Sequence, residues 1–387
     1  MSLLLNNADW SFPIPIHYGP GRVSELAAIC KKNSIARPLL VTDSGSKELE
    51  FVNKILNDLN SANLYCQIFS GISPNPLGSE ILTGKKIYHD GNHDAIIAIG
   101  GGSGMDGGKA ISLIANNSKN LWEFDNDKPE VTGISYFPKL ICIPTTSGTG
   151  AETESTAMVT HEKLGMKFCV WHPKQKPIAA ILDPKLTVGL PKNLTAWTGI
   201  DAIVHAIEAY SINSLYSVAD AMAIESLNLL GSNLREVIIS PNNIEARGAM
   251  LIGSCMAGIS FLKGLGLVHA ISHMVGAVYN SQHGRTNAIL LPLILRFNET
   301  AISSKVAKMN FAAFQDTSGF DGFYRNVCKL LDDLEIDTGI SALGVTDESV
   351  PDLAIKASKD AAAKTNPREA SIKDLEEIIS RAIISAR

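Results

Sequence analysis

The residues best suited to chemistry cluster in two apolar stretches of the second half. In GIDAIVHAIEAY, Asp201 and His205 stand four apart, so on a helix both project from one face. In GLGLVHAISHMVGA, His269 and His273 repeat that spacing, and His283 follows in SQHGRTNA. Carboxylate and imidazole groups are costly to bury on an apolar helix face unless each finds a partner. A divalent metal is one such partner. A His-rich set with one carboxylate and no thiolate suits Zn2+ or Fe2+, and argues against a structural cysteine zinc site. Separately hydrogen-bonded core histidines are the alternative. That reading fits any one histidine alone, whereas the repeated spacing favours a metal.

A second constellation is glycine-rich. Residues 100–110 read GGGSGMDGGKA, directly after the apolar run AIIAIG. Gly102-x-Gly104-x-x-Gly107 satisfies the dinucleotide fingerprint formally, but glycine runs do so by chance, and this one follows the third strand of the reading rather than the first. A Walker A motif fails, because Ser103 replaces its first glycine and Ala110 follows Lys109. Bare backbone N–H groups at a helix start remain a good pyrophosphate cradle; a plain strand-to-helix turn is the alternative. Asp43 ends RPLLVTD, where an acid could accept ribose hydroxyls and repel a 2′-phosphate, favouring NAD, or could cap the next helix. PTTSGTGAE (144–152) offers another small-residue loop, either part of the same pocket or only a Ser/Thr-rich turn.

Positioning these groups takes two kinds of architecture. RPLLVTD (37–43), LYCQIFS (64–70), AIIAIGGG (95–102), LICIPTT (140–146) and PIAAILDP (177–184) read as strands alternating with helices such as 51–62, the pattern of a parallel sheet. From Thr195 onward the apolar residues recur at helical spacing. The expectation is an α/β dinucleotide-binding domain over 1–187 and an all-α metal-binding domain over 188–387. The 387 residues suffice for both, with 45% apolar and 19% charged residues, as in soluble globular proteins. A net charge of −5 without a Lys/Arg run argues against nucleic acid. No apolar stretch approaches the ~20 residues of a membrane span. The N-terminal MSLLLNNADWSFPIP lacks a leader's basic start and apolar core. Six cysteines without a C-x-x-C pair read as reduced thiols of a cytoplasmic protein.

Taken together, GGGSGMDGGKA, PTTSGTGAE, TGIDAIVHAIEAY, GLGLVHAISHMVGA, HGRTNAILLP and NPREASIKDL resemble the iron-containing (group III) alcohol dehydrogenases over nearly the whole chain. The resemblance implies a metal-dependent, NAD(H)-linked alcohol dehydrogenase or aldehyde reductase. Its active site would lie between the α/β and helical domains, and the protein would be a dimer or larger homo-oligomer. It implies Asp201, His205, His269 and His283 as ligands of Fe2+, with Zn2+ as the alternative. It places His273 near the nicotinamide, where it would relay the proton. Asp43, Asn75, Gly101, Gly102, Ser103, Asp106, Thr145, Thr146 and Lys167 match cofactor-pocket positions.

Two departures stand out. Phe261-Leu262-Lys263 replaces a common Phe-Ser-Asn, and Arg285 replaces a small apolar residue. The added positive charge suggests a small substrate with an anionic far end, a carboxylate or phosphonate, met by Phe261, Lys263 and Arg285. The opposing expectation is that both cations face solvent or pair with nearby acids. Glycerol dehydrogenase-like and dehydroquinate synthase-like enzymes are rival readings on the same plan. The synthases usually carry Glu where this chain has Asp201.

Overall fold

The computed structural model describes residues 8–10, 14–134 and 136–387. Most of the N-terminal stretch read above for a leader lies outside them. The chain forms two compact units, one comprising the chain up to Thr146 with Gly150–Leu190, the other Ser147–Thr149 with Pro191–Arg387.

In the first unit the described strands are β1 (Ala8–Trp10), β2 (Ile16–Tyr18), β3 (Pro38–Asp43), β4 (Gln67–Ile72), β5 (Ala95–Gly100), β6 (Lys139–Pro144), β7 (Ala157–His161), β8 (Met166–Val170) and β9 (Ala179–Leu182). Seven of these make one sheet in the order β1-β2-β9-β6-β5-β3-β4, parallel throughout except at β1–β2. The helices are α1 (Leu26–Lys32), α2 (Glu50–Ser61), α3 (Gly78–Asp90) and α4 (Gly102–Ala115). Strand periodicity sorts the core: Leu39, Val41, Ile96, Ala98, Leu140 and Cys142 face Ile81 of α3 and Ile111 of α4. The intervening Leu40, Ile97, Ile99 and Ile141 face Leu26 of α1 and Ile55 of α2. Thus β3 is followed by a helix on one face and β5 by a helix on the other, and the connections diverge between these neighbours. Ligands of open α/β sheets bind at such a divergence.

Several strands differ from the sequence reading. The second strand begins at Gln67, because the Asn60 side chain holds the Cys66 backbone N–H at 2.9 Å and keeps the preceding residues in the turn. The β7–β8 hairpin and the short β2 are too brief for periodicity to reveal.

The second unit is helical: α5 (Lys192–Ser211), α6 (Ser217–Ile239), α7 (Ile244–Ser260), α8 (Leu267–Tyr279), α9 (His283–Ile302), α10 (Val306–Phe314), α11 (Phe320–Asp333), α12 (Val350–Ala357) and α13 (Ile372–Ile384). Every residue of α5 from Thr198 to Ser211 is buried, with α6, α7 and α9 packed around it. Polar groups on so enclosed a helix must be satisfied from inside. Gly284 lets α9 start against α5, since a Cβ there would stand 2.3 Å from the Trp197 carbonyl oxygen. Among the described residues no single helix is long and apolar enough to cross a membrane.

Candidate metal centre and cofactor loop

The carboxyl ends of β3, β5 and β6 gather the predicted cofactor residues of the first unit. Gly101 caps α4 and Gly102 begins it, so the free N–H groups of this helix start follow directly from β5. Gly104 is required by close approach: a Cβ would lie 2.7 Å from the Ile99 carbonyl oxygen and 3.6 Å from the Asp43 nitrogen. The Asp43 carboxylate accepts the Gly45 and Ser46 N–H groups at 3.0 and 2.9 Å and the Ser46 hydroxyl at 2.8 Å. It therefore caps its own turn and not the next helix, which starts at Glu50. The Thr145 N–H donates to the Gly100 carbonyl at 2.9 Å, and Thr146 lies against Gly101. Asn75 is buried in the turn after β4, and Lys167 is buried on β8 opposite Thr160.

Beneath the loop, Lys109 Nζ donates to Glu154 at 2.8 Å and to the Thr156 carbonyl at 2.8 Å. Burial works against the Lys109 charge, but Glu154 and Asp106 outweigh it and hold the ammonium above its usual range. Burial pushes the Asp106 carboxyl up to about 7, against the pull of Lys109.

The second unit brings the predicted ligands together. One donor atom from each of Asp201, His205, His269 and His283 lies within 4.8 Å of all the others. Asp201 Oδ1 stands 3.9, 3.8 and 3.6 Å from Nε2 of His205, His269 and His283. A tetrahedral set at ~2.1 Å from a metal has edges of about 3.4 Å, close to the three Asp201 edges, and the whole set lies within 4.8 Å. Burial drives the His205 imidazolium down to about 4, leaving the ring neutral and able to ligate. His269 Nδ1 meets Glu208 at 2.6 Å, and its Nε2 lies on the Asp201 side, 3.8 Å from Oδ1.

Asn287 adds an independent sign. Its Nδ2 lies 2.6 Å from Asp201 Oδ1, 3.1 Å from His269 Nε2 and 3.0 Å from His283 Nε2, while its Oδ1 is buried without a hydrogen-bond partner. Two amide hydrogens cannot satisfy all three of these acceptors. A donor set richer in lone pairs than in protons fits a cation, and nitrogen and oxygen without thiolate suit Fe2+ or Zn2+.

His273 completes the cluster differently. Its ring stacks on His283 at 5.4 Å, and its Nδ1 lies 2.9 Å from Asp360 of the 3-10 turn Ala361–Thr365, which Asp360 caps. Sequence reasoning missed Glu208, Asn287 and Asp360. Glu208 lies seven residues after Asp201 and three after His205, and Asn287 lies four after His283, so helical spacing could have found both. Asp360 had no local signal.

Residues 13–184 match the family described as iron-containing alcohol dehydrogenase, and residues 195–383 match the C-terminal part of the same family. The chain belongs to the iron-containing alcohol dehydrogenases. It is 34% identical over 376 residues to an NAD-dependent methanol dehydrogenase of Bacillus methanolicus, covering 94% of this chain and 97% of that one. It is 32% identical over 383 residues to a 1,3-propanediol dehydrogenase of Citrobacter freundii, covering 97% and 98%. A crystal structure of a 1,3-propanediol oxidoreductase superimposes with a TM-score of 0.90 at 30% identity, covering 98% of this chain and all of that one.

In this alcohol dehydrogenase the expected anion-binding pair is otherwise engaged. Lys263 Nζ donates to Asp220 at 2.6 Å with its side chain buried, and Arg285 Nε donates to Asp337 at 2.6 Å while its guanidinium lies 5.4 Å over the Trp197 ring. Both positive charges are matched by carboxylates, which removes the charge argument for an anionic substrate end. Phe261 does reach the metal cluster, its ring 5.1 Å from that of His205.

Proposed function

We propose that the protein is a metal-dependent, NAD(H)-linked dehydrogenase that interconverts a small alcohol and its aldehyde, with Fe2+ as the resident metal and Zn2+ able to replace it. The observation that carries the reading is the convergence of Asp201, His205, His269 and His283. Once bound, the metal supplies Lewis acidity to the substrate oxygen and the nicotinamide supplies hydride chemistry. The single carboxylate leaves a divalent ion with net positive charge, and the buried rings keep bulk water from competing. His273 keeps a proton at Nδ1 against Asp360, so its Nε2 is free to take the alcohol proton. Phe261 gives the substrate an apolar wall beside His205. The name of the methanol dehydrogenase relative supports NAD. A cytoplasmic homo-oligomer, dimer or larger, belongs to the same reading.

The deciding experiment is anaerobic NADH oxidation with a panel of small aldehydes, on metal-stripped protein reloaded separately with Fe2+ or Zn2+. Turnover that requires metal is expected, with butanal preferred to succinate semialdehyde because Lys263 and Arg285 are already paired. Absence of turnover under every metal overturns the reading.

Cofactor choice gives a second test. In the proposed pose Asp43 faces the adenosine ribose, where its charge opposes a 2′-phosphate. Asp43→Asn keeps an oxygen for the Gly45 and Ser46 N–H groups and removes the charge. The ratio of kcat/KM for NADPH over NADH is expected to rise by about 10-fold or more, with the Tm nearly unchanged. An unaltered ratio would remove Asp43 from the cofactor site.

A further inference from the structure

Glu208 makes three hydrogen bonds that link a ligand to the start of the helix that carries it. Its Oε2 accepts the Gly266 N–H at 3.0 Å and meets His269 Nδ1 at 2.6 Å, while its Oε1 accepts the Val268 N–H at 2.8 Å. Gly266 is the N-cap of α8 and has no side chain to serve the first-turn donors, so Glu208 of α5 caps this helix from outside. Glu208 is buried and shares the α5 face of Asp201 and His205.

We propose that Glu208 is a positioning residue that sets the His269 tautomer and thereby the affinity of the site for its metal. The inference rests on the metal reading above. Both Glu208 oxygens accept backbone N–H groups, so the oxygen that meets His269 serves as an acceptor and the imidazole carries its proton on Nδ1. The Nε2 lone pair then faces Asp201, His283 and Asn287. The two backbone donors fix where the carboxylate sits, and the carboxylate fixes the ring. His283 has a looser support, with Ser272 Oγ 3.5 Å from its Nδ1.

Glu208→Gln separates this role from mere packing. Glutamine has the same shape but one acceptor oxygen. With that oxygen in the Oε1 place, accepting the Val268 N–H, its NH2 stands where Oε2 was, donates to His269 Nδ1 and moves the imidazole proton to Nε2, where it blocks ligation. Metal affinity is expected to fall about 10- to 100-fold, measured by competition of a chromophoric chelator for Zn2+ and by the d–d spectrum of the Co2+ form. The rise in Tm on adding metal should shrink accordingly. Should the variant fail to fold, 15N shifts of the histidine rings in metal-stripped wild-type protein still decide, with His269 expected protonated at Nδ1. Equal metal affinity of the variant and the wild type, or a wild-type His269 carrying its proton on Nε2, overturns the proposal. Failure of the wild type to bind metal at all overturns the functional reading instead.

Discussion

Replacing Asp201 with Asn is expected to empty the protein of metal and to cut turnover at least ~1000-fold, the largest effect foreseen for a single substitution. Asp201 is the only anionic member of the ligand set, and its Oδ1 faces all three imidazole Nε2 atoms at 3.6 to 3.9 Å. The amide is almost the same size, so the helical packing around a fully buried stretch of α5 is preserved. What goes is the charge that offsets the cost of bringing a divalent ion out of water. Metal per chain after gel filtration, measured by mass spectrometry, should drop below about a tenth of the wild-type value, while NAD+ binding by fluorescence should remain. Full metal content with lost activity would instead make Asp201 a catalytic group outside the ligand set.

Lys109→Met should produce the largest loss of stability. Lys109 and Glu154 form an ion pair with side chains 0% and 5% exposed. Removing the cation leaves the Glu154 carboxylate in the interior with only the Thr156 N–H and hydroxyl to receive it. Breaking a buried pair in this way costs ~3–5 kcal/mol, roughly a 10 °C fall in Tm for a unit of this size. Both partners lie on segments that shape the predicted phosphate site, Lys109 on α4 and Glu154 in the loop after β6, so the Kd for NAD+ should rise as well. The paired change Lys109→Met with Glu154→Gln removes both charges and should recover much of the stability. Equal Tm values for the single variant and the wild type would show that water or another cation compensates.

How far the sequence revealed this molecule follows from the range of each signal. The strands β3, β5, β6 and β9 are continuous apolar runs because both faces of a parallel sheet are covered, and such runs stand out in a single sequence. Asp201, His205 and His269 stood out because 201/205 and 269/273 are both i, i+4 pairs, whereas the choice of His283 over His273 as a proposed ligand came from the family resemblance. The supporting groups divide by the same logic. Glu208 and Asn287 sat within quoted motifs at helical spacing from ligands, but their importance depends on where they reach across to α8 and to Asp201. Asp360 joins His273 across 87 residues, a separation at which no periodicity survives. Lys263 and Arg285 show the converse. Their charge was legible, but the acids that neutralise them, Asp220 and Asp337, lie 43 and 52 residues away and were brought to them only by folding.

The distribution of the proposed metal ligands along the chain also orders its birth on the ribosome. The main body of the α/β unit ends at Leu190, so its sheet can close while the helical unit is still being synthesised. Asp201 emerges soon afterwards, but His283 comes much later, and the carboxylate that steadies His273 is residue 360. Metal acquired during translation would meet an incomplete set of these donors until His283, at the start of α9, has emerged. On the proposed reading, metallation would follow the emergence of α9, after the α/β unit has been made.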